Sequence, residues 1–105
     1  MENNYNITME FQWDRKKNEI NKQKHGISFE EACSVFNDEN GILIFDPDNS
    51  DFEDRFLLLG RSSVLRVLVV CHCVREQQDE ELIRIISARK ANSEERKQYE
   101  IRKIK

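Results

Sequence analysis

The sequence predicts an α+β fold, a small antiparallel sheet packed by helices. Three observations carry this. Three apolar runs, 55–61, 64–74 and 82–87, follow one another across the short joins 60–63 and 76–81, the pattern of an antiparallel meander. Ahead of them, Phe29, Ala32, Cys33 and Phe36 recur at the spacing of one helix face, behind a Ser28/Glu31 capping box. Behind them, Asn92-Ser93 opens a closing helix that runs to about Arg102. At 105 residues the chain has the length of one domain.

The elements follow in order. Residues 1–8 are polar and unpatterned and read as a flexible extension, leaving 9–105 as a single domain. Met9-Glu10-Phe11-Gln12-Trp13 alternates large apolar and polar side chains and reads as a short strand. Asp14 caps a mostly polar helix running to Lys24, with its apolar anchorage near Ile20, and Gly26 ends it. The capped amphipathic helix over 29–36 comes next, then an Asn40-Gly41 turn and a short strand over 42–45. Positions 46–51 are dense in turn formers and read as a loop. The whole is a meander of about four strands plus the N-terminal strand, with two N-terminal helices and one C-terminal helix.

Composition excludes several classes. The longest apolar run, Val67-Leu68-Val69-Val70-Cys71, is far short of the roughly 20 residues of a membrane span. The first ten residues lack the basic-then-apolar pattern of a secretion signal, and three cysteines cannot all pair within the chain, so reduced thiols in a cytoplasm are expected. The net charge of −3 is unevenly spread. Residues 82–105 carry eight bases and three acids, whereas 37–54 carry seven acids and no base. A positive tail on a negative body points to an anionic partner, or to a solvated terminal helix.

Metal chemistry finds little footing. A calcium loop starting at Asp46 needs Gly at 51 and Glu at 57, where the chain has Asp51 and Leu57. Alternation along a strand puts Cys71 and Cys73 on one face and His72 on the other, so no metal site is expected. That alternation makes Val67, Val69, Cys71 and Cys73 the expected core face. His72 falls with Arg66, Leu68, Val70 and Val74, as a half-buried acid–base group or a satisfied structural histidine. Arg84, inside an apolar strand, is costly unless paired with an acid on a neighbouring strand or placed at an anion site, and Arg89 and Lys90 follow it.

The segments Met9-Glu-Phe-Gln-Trp-Asp14, Lys24-His-Gly-Ile-Ser-Phe-Glu-Glu-Ala32, Glu53-Asp-Arg-Phe56 with Gly60, and Arg84-Ile-Ile-Ser-Ala-Arg89 with Glu95 and Tyr99 resemble the BrnT family of bacterial toxins over about residues 9–99. The resemblance implies a RelE-like ribonuclease fold and the toxin half of a type II toxin–antitoxin pair, inhibiting translation and arresting growth. It implies action on RNA, including mRNA on the ribosome, with no cofactor. The implied partner is a BrnA-like antitoxin with a ribbon-helix-helix end, through which the complex reaches operator DNA. The acidic pI of about 5.4 departs from the basic character expected of an RNA-cutting protein.

Metal-free RNA cleavage uses the 2′-hydroxyl as nucleophile and needs a base, an acid and cations around the phosphate. The expected phosphate ligands are Arg84 and Arg89, with Arg61 or Arg75 near by and Lys24 and Lys90 as further contacts. His72 is the expected proton-transfer group, His25 the second choice, and Tyr99 a base-stacking or phosphate-orienting ring. The basic tail grips RNA or docks an acidic antitoxin segment. The rival reading is a non-catalytic module that scaffolds a DNA-binding antitoxin. A metal or redox switch at Cys71 and Cys73 is the weakest reading.

Overall fold

A computed structural model describes residues 9–49 and 53–104. The expected extension over 1–8 and the loop positions 50 and 51 lie outside the described residues. The elements run β1 (Met9–Gln12), α1 (Arg15–His25), α2 (Phe29–Ser34), a 3-10 turn (Val35–Asn37), β2 (Ile42–Asp46), a second 3-10 turn (Pro47–Asn49), β3 (Arg55–Arg61), β4 (Val67–Gln77), β5 (Glu80–Lys90) and α3 (Ser93–Ile104). They form one five-stranded sheet in the order β1-β5-β4-β3-β2. The meander is antiparallel and β1 pairs with β5 in parallel, so the sheet is mixed.

Local chemistry sets the helix ends. The Asp14 carboxylate accepts from the Lys16 and Lys17 amides, and Gly26 closes α1 at φ 72°. Ser28 Oγ accepts from the Glu31 amide at 3.0 Å, while the Glu31 carboxylate turns away to Arg66 and Ser62, so only half of that capping box forms. At α3 the box is complete: Glu95 N donates to Asn92 Oδ1 and Asn92 N donates to Glu95 Oε1, both at 2.8 Å.

Two expectations about α1 and β4 are corrected. Ile20 is 55% exposed and anchors nothing. The helix is tethered instead by two buried amides, Asn18 to the Phe29 amide and Glu30, and Asn21 to Ile27 and Ala88. The strand expected from Val64 begins at Val67, because Leu65 turns at φ 68° to close a loop tied by Ser62 N to Arg66 O at 2.8 Å.

The core lies on both faces. α1 and α2 cover the larger cluster, where Ile27, Phe29, Ala32 and Val35 meet Leu68, Val70, Ile83 and Ile85. α3 covers a smaller one of Leu59, Val69, Ala91 and Tyr99. The Val67/Val69 face therefore holds only the lesser core, and the Leu68/Val70/His72 face is the principal one. A single irregularity decides which β5 residues face which layer. Cys71 pairs with Ser87 but His72 pairs with Ile85, leaving Ile86 as an extra residue, a β-bulge. Arg84 and Arg89 are five apart and would point oppositely on a regular strand. The bulge returns both to the α3 side, opposite Cys73 and Val69.

Candidate nucleic-acid interface

Beyond α3, the α3-side face carries one cross-sheet row. By register it reads Asp46, Arg55, Cys73, Arg84, Gln12. Arg55 and Arg84 thus flank Cys73 at two strand spacings, roughly 10 Å apart at the backbone. Arg75 lies one step along β4 on the same face, and Ser87 hydrogen-bonds Cys71 in the row behind. Arg84 Nη1 donates to the amide oxygen of Gln12 at 3.2 Å, so its partner on the neighbouring strand is a neutral amide rather than an acid. Asp14 stands within electrostatic reach of it.

Glu53 closes the near side of this row. It accepts from Arg75 Nη2 at 3.0 Å and from the Cys73 thiol at 3.2 Å. Its carboxyl is held below the usual range, first by the Arg75 bond and then by Cys73. Burial pushes the thiols of Cys71 and Cys73 up, and that of Cys33 to about 11, so all three stay protonated at neutral pH. Cys71 and Cys73 share this face while His72 faces the other, so the three do not converge on one ion.

The other expected site residues lie apart from the row. Arg89 shares the face but is some five residues along β5, roughly 16 Å from Arg84. Its guanidinium is taken by Glu95, at 2.8 and 3.0 Å. Arg61 sits beside α3, 5.8 Å above the Tyr99 ring and 3.8 Å from Glu100. Tyr99 is 1% exposed and donates its hydroxyl to Asp38 at 2.6 Å, which leaves no ring face for a base. Lys24 and His25 close α1 on the opposite layer, where their charge complements the helix dipole. Lys90 pairs with Leu68 and faces that layer too.

His72 is the largest departure. It is 2% exposed on the α1/α2 side, with Phe36 edge-on at 4.8 Å and Phe56 stacked at 6.0 Å. Its Nδ1 lies 3.2 Å from the Val70 carbonyl, and desolvation pulls its pKa below the ordinary value. The sheet stands between His72 and Arg84, so the two do not meet on one phosphate. Arg55 was the arginine that sequence reading missed. Its signal was position, the only base bordering the acidic 37–54 segment, in register with Arg84 across Cys73.

The Arg89–Glu95 pair has a pH signature. The Arg89 bond chiefly, and the Asn92 amide after it, hold the Glu95 carboxyl below its ordinary value of about 4.5. A depressed folded pKa contributes stability that is present above the ordinary value and lost as pH falls through the folded one. Melting temperatures measured from pH 6 to pH 3 are therefore expected to fall less steeply for Glu95→Gln than for the parent chain, and parallel curves would remove this linkage.

Comparison with known proteins agrees with the architecture. A family model described as "Ribonuclease toxin, BrnT, of type II toxin-antitoxin system" matches residues 13–95. The crystal structure of the Brucella abortus ribonuclease toxin BrnT is similar at a TM-score of 0.52 and 25% identity, over 82% of this chain and 100% of that one. A search of curated proteins gives no match. Among the described residues, no helix is long and apolar enough to cross a membrane. The match over 13–95, joined to the mixed five-stranded sheet and its three helices, makes this chain a member of the BrnT family of type II toxin–antitoxin ribonuclease toxins.

Proposed function

We propose that the chain is a metal-independent endoribonuclease that attacks RNA through its 2′-hydroxyl, inhibits translation in the cytoplasm and is neutralised by a BrnA-like ribbon-helix-helix antitoxin. The observation that carries the catalytic reading is the Arg55–Cys73–Arg84 row, with Arg75 beside it on one open sheet face. Guanidinium groups suit a phosphate because they stay charged and offer forked donors. Placed around a scissile phosphate they stabilise the charge that builds there, the largest single contribution in such reactions. Arg89 and Arg61 lie farther along the face and serve neighbouring phosphates of the same strand. Lys24, His25 and Lys90, on the other layer, and Tyr99, in the core, contribute through the fold.

Glu53 takes the proton-accepting role expected of His72. It is the carboxylate bonded into the row, and it is ionised at neutral pH. Glu53→Gln is expected to lower the cleavage rate on the order of a hundredfold, the usual scale of a lost general base. RNA binding in the same variant should tighten, because a negative charge leaves the face. Single-turnover cleavage and filter binding on one RNA separate the two. Weakened binding with an unchanged rate would remove Glu53 from proton transfer.

A second reading, a non-catalytic scaffold that holds an antitoxin on operator DNA, is favoured by the engagement of Arg89 with Glu95 and by the burial of Tyr99 and His72. Expression without a partner discriminates: a toxin arrests growth and a scaffold does not.

A further inference from the structure

The α1/α2 side of the sheet is covered unevenly. The helices close over Leu68, Val70, Ile85 and Ala88, and Phe36 caps His72. Past Phe36 the apolar side chains lie open, with Leu43 60%, Phe45 48% and Val74 39% exposed. The register puts them on one face. Leu43 aligns with Leu58 and Val70, Phe45 with Phe56 and His72, and Val74 with Ile83. A groove of about 310 Å³ opens there, floored by Leu58, His72 and Ile83 and edged by Asp38 and Glu81.

The rim is acidic. Glu76 stands directly opposite Glu81 on the same face, and Asp79 and Glu80 follow in the adjoining turn. Asp38 also stays ionised. Burial opposes its charge, but the Tyr99 hydroxyl and the Arg61 and Asn40 amides outweigh that and keep its carboxyl below the usual range. An apolar floor asks for apolar side chains to be desolvated in it, and a ring of carboxylates repels phosphate. RNA therefore does not fit, and a cationic protein segment does.

We propose that this groove seats an antitoxin segment carrying large apolar side chains flanked by lysine or arginine. The proposal rests on the reading of this chain as a toxin held by a protein antitoxin, and adds where that protein grips and with what chemistry. The groove lies across the sheet from Arg84, so the grip leaves the arginine row uncovered and blocking falls to another part of the antitoxin. The competing occupant is α3 of a second copy, which shows Ile101 and Ile104 among Arg102 and Lys103. Such a contact joins two different surfaces and does not close on itself as a twofold dimer does.

The test uses the full chain and the protein encoded by the reading frame adjoining its own, titrated by calorimetry. The double variant Leu43→Asp/Phe45→Asp is expected to weaken binding on the order of thirtyfold or more, the scale of a buried anchor. Both positions are exposed, so its unfolding transition and its RNA cleavage when free should match the parent chain. Glu76→Lys/Glu81→Lys should weaken binding and flatten its dependence on salt, while Ile104→Asp should bind as the parent does. A complex whose affinity stays within about threefold in both double variants overturns the groove and leaves the toxin–antitoxin reading standing. Failure of the parent chain to bind the adjoining protein overturns that reading, and the proposal with it. Self-association of the chain alone, abolished by Leu43→Asp/Phe45→Asp in light scattering, would assign the groove to a second copy instead.

Discussion

Arg84→Ala is expected to lower RNA cleavage by roughly 10²–10³-fold, the range seen when one fixed donor to a developing oxyanion is lost. The fold should hardly change. The guanidinium is half-buried and bonded to a neutral amide, Gln12, so its removal leaves no carboxylate unpaired. The slope of log affinity against log salt should also fall by about one charge contact. Cleavage, binding at several salt concentrations and thermal unfolding, measured on one preparation, separate a lost phosphate ligand from a lost fold. Parental activity in a folded Arg84→Ala chain would remove the row from the reaction.

Asn21→Leu is expected to cost more stability than any surface change. The Asn21 amide sits beside β5 where β1 has ended, since β1 reaches only as far as Arg84. Its Nδ2 donates to the Ala88 carbonyl at 2.8 Å and to Ile27 O at 2.9 Å, and its Oδ1 accepts from the Ala88 amide at 3.2 Å. One side chain thereby pairs both backbone groups of Ala88, as a neighbouring strand would, and fastens α1 to the sheet. Asn21 and Ala88 are buried, so truncation leaves polar backbone groups without water or partner. At about 1–3 kcal/mol for each unsatisfied group, the loss is roughly 3 kcal/mol or more. Urea midpoints at an unchanged slope would measure it. A loss below about 1 kcal/mol would mean that α1 is not held by this amide.

Much of the fold could be read from local signals. Asp14, Ser28 and Asn92 each cap the helix expected of them, and the 55–61 run coincides with β3, because caps and alternation depend on residues a few positions apart. The misses depend on distant partners. The anchorage of α1 lies in Asn18 and Asn21 rather than Ile20, because an amide outweighs an isoleucine only when a strand edge waits 67 positions away. The principal core face was misjudged from the purely apolar Val67/Val69 side, since nothing near His72 in the chain announces that Phe36 and Phe56 will enclose it. The site was legible in kind, as arginines of β5 toward a polyanion. It was not legible in composition, because Arg55 and Glu53 join Arg84 only through cross-strand register and Arg89 is engaged by Glu95.

The unpaired Ile86 turns the motif around it into a rule about length as well as letters. Removing one residue between Arg84 and Arg89 would restore strict alternation and rotate half the strand. Either Ala88 would trade places with a charged neighbour beneath α1, or Arg84 would be driven into the apolar interior. A homologue can therefore swap side chains freely within that stretch, yet it cannot shorten or lengthen it without turning the sheet inside out at that point.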